Sequence, residues 1–396
     1  MKANTLQNVF SCAIFTLVLL PAESVPDELC VGAFLTEDAA LKQLDRFRAT
    51  FSTLPEWERR AAKTRHQILT RCGLGKLQSV DERSKQMPLN PVVHSTRTYD
   101  GYSVASVAFE ALPGFFVYGS IYAPLESNGR LPGVLCPHGH GKTPNGGGRY
   151  RPNNQLRCAS LARMGAIVLS YDMIGYGDSG KVGWEHRSQQ TMPLQLWSSI
   201  RAIDYLVSRD DLNPDRIGIT GASGGGTQTF LLAAVDDRVA VSVPTVMVSA
   251  HFFGGCVCES GHPIHKTDEH ETNNTDIAAC AAPKPQLLIS VGGDWTKNTP
   301  EVEYPYIQDV YSLFNAKEDV ANAHFADEQH DYGPSKQAAL FSFMARHLKL
   351  DESMVDPEKV TIEDHTMMQV VDQNHPLPDH AITSNSRVSL PFTAAK

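Results

Sequence analysis

The chain has 396 residues, 42% of them hydrophobic and 20% charged, which suits a large buried core and excludes a disordered or fibrous chain. A formal charge of -9 argues against nucleic acid or an anionic membrane surface as partner. The length allows one large domain with additions, or two domains.

Residues 1–24, MKANTLQNVFSCAIFTLVLLPAES, start with Lys2, run mostly apolar from Val9 to Leu20 and end in small residues. This predicts a secretory signal, too short to span a bilayer comfortably, and hence a secreted or periplasmic protein. No later run approaches the roughly eighteen apolar residues of a span, so no stable membrane insertion is expected. Residues 25–92 read as an N-terminal helical extension. TEDAALKQLDRFRATF sets Leu41, Leu44 and Phe47 three apart, and LPEWERRAAKTRHQILTRCG opens near Pro55 and stops at Gly73. These helices are expected to cap the main domain with their charged residues facing solvent.

From about residue 93 the period changes. SVASVAFEAL and FFVYGSIYAPL, separated at Gly114, read as an antiparallel pair at a sheet edge. The apolar strands in LPGVLCPHGHG, GAIVLSYDMIGYGDSG, RIGIT, VAVSVPTVMVS and PQLLISVGG then alternate with helical segments up to about residue 350. Such units predict an α/β fold over 93–350: a mostly parallel sheet covered by helices, with its chemistry at the carboxyl ends of the strands. Residues 351–396 lose periodicity and read as a C-terminal extension, wrapped on the domain or partly disordered.

Seven cysteines follow the signal: Cys30, Cys72, Cys136, Cys158, Cys256, Cys258 and Cys280. Export permits disulfides, and an odd number leaves a thiol over. The Cys-Val-Cys at 256–258 is one residue too tight for a CxxC redox pair, and a zinc site built on it would need further ligands.

The chemistry centres on RIGITGASGGGTQTFLLAA, residues 216–234. Gly221, Ala222, Ser223, Gly224 and Gly225 satisfy G-x-S-x-G after a strand and before a helix. Small neighbours allow a sharp turn that exposes the serine hydroxyl and aims backbone N–H groups at the same point. A serine needs a histidine base, and the base needs an orienting acid. Asp294 follows the strand LLISVGG, and His330 sits in the loop EQHDYG before the last helix, so the order serine, acid, histidine is met. Glu328 and Asp331 flank His330 and are expected to point away. Oxyanion donors are expected at Gly224 and, from the loop CPHGHG, at Gly139 or His140. His138, Trp295, and His262 and His265 of the polar run ESGHPIHKTDEHETNNTD are candidates for substrate contact. That run, H-x2-H-x4-H, matches no standard metal motif and is expected to be a solvated insertion over the pocket.

With PHGHG, YDMIGYGDS, GASGGGTQT, GGDWTKNTP and EQHDYG in this order, residues 90–350 resemble the α/β-hydrolase superfamily. They are most similar to its exported bacterial acetyl xylan esterase-like branch, near the dienelactone hydrolase and prolyl oligopeptidase catalytic domains. The resemblance implies Ser223 as nucleophile, His330 as base and acid, Asp294 as its partner, and an ester on a carbohydrate, or another small ester, as substrate. It implies no metal and no organic cofactor. The elbow departs from the glucuronoyl esterase pattern G-C-S-R-x-G, since no arginine follows Ser223. A small-peptide hydrolase and a non-catalytic carbohydrate-binding protein on the same scaffold are the rival readings.

Overall fold

The computed structural model describes residues 35–75, 77–141, 147–260, 264–385 and 388. The segment read as an export signal, His262, and the end of the C-terminal extension lie outside the described residues. The strands are β1 (Val92–Thr98), β2 (Tyr102–Leu112), β3 (Phe115–Pro124), β4 (Leu131–Leu135), β5 (Ile167–Tyr171), β6 (Leu212–Ala222), β7 (Val239–Thr245), β8 (Gln286–Val291) and β9 (Val320–Phe325). Helices α1 (Glu37–Arg48), α2 (Leu54–Arg71) and α3 (Val80–Gln86) precede them. The connections carry α4 (Pro152–Arg163), α5 (Gly177–Lys181), α6 (Thr191–Val207), α7 (Gly224–Val235), α8 (Val257–Ser260), α9 (Asn274–Ala279), α10 (Glu303–Leu313) and α11 (Pro334–Leu348).

The strands form one nine-stranded sheet in the order β1-β2-β3-β5-β4-β6-β7-β8-β9. β1, β2 and β3 make an antiparallel meander that joins β5, and β5 to β9 in sheet order are parallel. Ile217, Ile219, Val134, Leu135, Val168 and Leu169 are inaccessible, because helices cover both faces of the parallel part. This is the α/β-hydrolase arrangement, with α1–α3 as an N-terminal helical extension. β6 lies central, so whatever follows its carboxyl end sits in mid-sheet.

The extension differs from its sequence pattern in two ways. α1 buries Ala40, Gln43, Leu44 and Phe47, while Leu41 stays 45% exposed. The buried stripe follows i, i+3/i+4, i+7 from Ala40, so the small residue faces inward and the larger one does not. Charged residues do not all face solvent either. Arg60 of α2 is buried, and its Nε and Nη2 donate to the Asp276 carboxylate at 2.9 and 3.0 Å.

Asp276 belongs to the polar run expected as a solvated insertion; Lys266, Asp268 and Glu269 are indeed exposed, but the expectation is corrected for the end of the run. Thr272, Asn273, Asn274, Thr275 and Asp276 are fully buried. Their polar groups meet one another and the N-terminal helices: Asn273 donates to Gln43 at 2.8 Å, Thr272 and Tyr306 donate to Asp276 at 2.7 and 2.6 Å, and Gln67 donates to the Ile264 carbonyl at 2.8 Å. The described part of the C-terminal extension crosses β1–β3. Glu363 accepts from Arg97 Nε and Nη2, each at 2.7 Å, and the Met368 carbonyl accepts from the wholly buried Arg149 at 2.7 Å.

Candidate active site

β6 ends at Ala222 and α7 begins at Gly224, so the turn between strand and helix is Ser223 alone. Its φ of 57° and ψ of -125° lie where an L-residue is strained. The turn is held by its own backbone: the Ser223 N–H donates to the Thr245 carbonyl at 3.1 Å, and its carbonyl accepts from Thr227 at 3.0 Å. The glycines around it are needed for space. A Cβ on Gly221 or Gly225 would lie 2.5 Å from the Pro137 carbonyl oxygen. A Cβ on Gly139 would lie 2.6 Å from the Ala222 carbonyl oxygen and 3.1 Å from Ser223 Cβ. The loop after β4 is thus pressed onto the serine turn, as an oxyanion-binding loop must be. The positive end of α7 points to the same place.

Asp294 and His330 meet. His330 Nδ1 lies 2.7 Å from Asp294 Oδ2, while Asp294 Oδ1 accepts from the Thr296 backbone N–H and hydroxyl, both at 2.6 Å. The Asp294 side chain is 3% exposed and that of His330 32%. A buried carboxylate on Nδ1 favours the Nδ1–H tautomer and leaves Nε2 as the free lone pair. The two loops are stitched directly: Gly292 donates to the Phe325 carbonyl at 3.1 Å and Gly293 to that of Glu328 at 3.0 Å. Glu328 and Asp331 turn to Lys336 Nζ, each at 2.6 Å, so neither competes for the histidine.

Ser223, His330, Gly139, His140 and His138 line one cavity of about 350 Å3. His138 is part of its wall, with both ring nitrogens engaged. Nδ1 lies 2.9 Å from the Gly139 carbonyl, and Nε2 accepts from the Met173 N–H at 2.9 Å. Burial pushes its pKa down to about 3, so it stays neutral and braces the Gly139 loop. Trp295 packs behind His330, ring centroids 4.6 Å apart, and against Phe252 at 4.2 Å. It is absent from the cavity lining, which points to orientation of His330 rather than contact with substrate. His265 is buried elsewhere, stacked on Phe253 at 4.6 Å and bonded to Asn274 at 2.8 Å, and does not reach the cavity.

Sequence reading missed the cations. Arg151, at the N-cap of α4, and Arg157, inside it, line the same cavity. Among the described residues neither is ion-paired. Arg151 donates to the His140 carbonyl, and Arg157 lies over the Tyr332 ring at 4.3 Å and donates to Asn154. The signal was there: α4 is short of acids and carries Arg151, Arg157 and Arg163. Which of these face the serine depends on packing alone.

Residues 152–351 match the prolyl oligopeptidase family (Peptidase_S9), half of the chain. The chain belongs to the prolyl oligopeptidase family. This family member is 39% identical to the solved structure of Methylesterase BT1017, with a TM-score of 0.80 over 89% of this chain and 78% of that one. YtaP of Bacillus subtilis (strain 168), a hydrolase by name, is 32% identical over 155 residues, 34% of this chain and 48% of that protein. Dipeptidyl peptidase 8 of Homo sapiens is 30% identical over 200 residues, 48% of this chain and 22% of that protein. The chain spans less than half the length of these two curated relatives. A CE15 glucuronoyl esterase from Teredinibacter turnerae T7901, at 15% identity and a TM-score of 0.55, shares the fold. The prolyl oligopeptidase family member is accordingly a hydrolase on an α/β-hydrolase scaffold. None of its described helices is long and apolar enough to cross a membrane.

Proposed function

We propose that the protein is an exported serine esterase that cleaves a carboxylic ester on an acidic carbohydrate. The observation that carries this reading is the Asp294–His330 pair at 2.7 Å, whose histidine lines the cavity into which the Ser223 turn is built. His330 Nε2 takes the Ser223 proton as Oγ attacks the ester carbonyl. Backbone amides at Gly224 and at Gly139 or His140 hold the oxyanion, each worth roughly 3 kcal/mol of the barrier. Protonated His330 gives its proton to the leaving alcohol, and water activated by the same nitrogen then releases the acid and restores Ser223. Arg151 and Arg157 supply charge for a carboxylate on the substrate or on the released acid. This gives the site its own cations, although no arginine follows Ser223.

The name of the methylesterase relative favours a methyl ester over the acetyl ester suggested by sequence resemblance. The family and the dipeptidyl peptidase match favour an amide instead. Methanol release from methyl-esterified uronate oligosaccharides, acetate release from acetylated xylan oligosaccharides and turnover of dipeptidyl anilides should be measured side by side. Methanol release should dominate, with KM raised about tenfold in Arg151→Ala as a charged contact is lost. Faster anilide turnover would establish the peptidase reading. Acetate release unaffected by Arg151→Ala would remove the acidic substrate.

A further inference from the structure

The tight Cys-Val-Cys pair does find further ligands. His140 Nε2 lies 3.1 Å from His186 Nε2 and 3.1 Å from Cys258 Sγ, and the donor atoms of His140, His186, Cys256 and Cys258 all fall within 4.8 Å of one another. The residues come from the loop after β4, the segment between α5 and α6, and the start of α8. We infer that these four side chains form a closed tetrahedral site for one zinc ion, clamping the oxyanion loop to the two segments beside it.

The chemistry of the donors agrees with that metal. Zinc–nitrogen bonds of about 2.0 Å and zinc–sulfur bonds of about 2.3 Å set tetrahedral donors roughly 3.3–3.8 Å apart. The two 3.1 Å separations and the 4.8 Å outer limit of the set bracket that range, so small side-chain shifts would seat the ion. Two imidazoles and two thiols form an S2N2 set, which selects zinc over oxygen-seeking ions. His186 Nδ1 lies 2.7 Å from the Ile174 carbonyl, an acceptor only. The carbonyl holds a proton on Nδ1, so Nε2 is the nitrogen turned to the cluster and available to a metal. Glu259 Oε1 lies 3.9 Å from His140 Nδ1, beyond hydrogen-bond distance but placed where an outer carboxylate could close onto a ligating histidine. Binding releases the two thiol protons to solvent, and Zn2+ with two thiolates carries no net charge, as suits a position in which Cys258 is buried and the other three ligands are half-buried.

Four protein donors leave no open coordination position, so the ion is structural. Its effect on the active site is indirect. A Cβ on Gly224 would lie 2.9 Å from His140 Cε1, so the imidazole that zinc would fix is the floor under the residue that follows Ser223. His140 and Gly139 carry the candidate second oxyanion amide.

The test is metal analysis of the full chain, purified under reducing conditions from zinc-supplemented cells, followed by replacement with Co2+. One zinc per chain is expected. The cobalt form should show the intense visible bands of tetrahedral Co2+ and a thiolate charge-transfer band in the near ultraviolet. Zinc content should fall at least about tenfold in His186→Ala and in Cys258→Ser, and stay unchanged in Ser223→Ala. If the ligand variants do not fold, the cobalt spectrum of the wild-type chain decides alone. A chain that takes up no zinc or cobalt, an octahedral cobalt spectrum, or full zinc content in folded ligand variants would overturn the site.

Discussion

At the scale of single residues, the hydrolytic account rests on which nitrogen of His330 carries the proton. Asp294 Oδ2 holds Nδ1 at 2.7 Å, while Thr296 occupies Oδ1. Asp294→Asn can present its amide N–H to Nδ1 and select the opposite tautomer. The expected result is kcat lower by roughly four orders of magnitude with an unchanged unfolding midpoint. A loss under tenfold in steady-state kinetics would show that Asp294 does not orient the base. His138 makes a pH prediction. Its native pKa is pushed down to about 3 by burial, whereas the unfolded side chain titrates near 6.5. Below 6.5 the unfolded chain binds a proton that the native chain refuses, so stability is lost as pH falls from there toward 3. The drop in Tm between about pH 7 and about pH 5 should be smaller in His138→Gln than in the wild type. Parallel curves would show that His138 is not held neutral by the fold.

At the scale of elements, the arrangement that serves the site is β6, one strained residue and α7. It was legible because an apolar strand, a run of small residues and a helix follow without a gap, and few structures other than an exposed turn need them all. His330 and Asp294 were legible by position, each at the end of a recognisable strand. Arg151 and Arg157 were not, because helical spacing says which residues share a face but not what that face meets. The run 264–276 misled for a related reason. Its residues are polar and turn-forming, yet Ile264, His265 and residues 272–276 are buried, with polar pairing to Arg60, Gln43 and Gln67 far away in the sequence, while Lys266, Asp268 and Glu269 stay exposed. Cys256–Cys258 was read as short of ligands because His140 and His186 join it only through the fold. The contact between the β4 loop and the elbow leads to a further prediction. Gly139→Ala puts a methyl 2.6 Å from the Ala222 carbonyl oxygen, so the loop must retreat from Ser223. The expected cost is roughly a hundred- to a thousand-fold in kcat, with KM little changed. Unchanged kcat would place the second oxyanion donor elsewhere.

At the scale of the whole molecule, polar contacts tie the terminal segments to the hydrolase body. Arg60 joins α2 to Asp276, and removing it leaves a buried carboxylate with Thr272 and Tyr306 but no other ion pair among the described residues. Arg60→Ala should therefore cost about 3–5 kcal/mol in urea unfolding, against under about 1 kcal/mol expected of an exposed pair such as Lys42–Asp38. An equal, small cost for both would mean the N-terminal helices are not part of the cooperative unit. The six described cysteines after residue 35 are free thiols, so the disulfides that export would permit find no support among those residues. Stability there comes from burial and from such ion pairs. The central claim is that this scaffold activates Ser223, and the most direct measurement is mass spectrometry of the chain after reaction with a fluorophosphonate. One adduct is expected, mapped to Ser223, absent in Ser223→Ala and greatly slowed in His330→Ala. A folded chain that forms no adduct, or forms it at another residue, would contradict that claim.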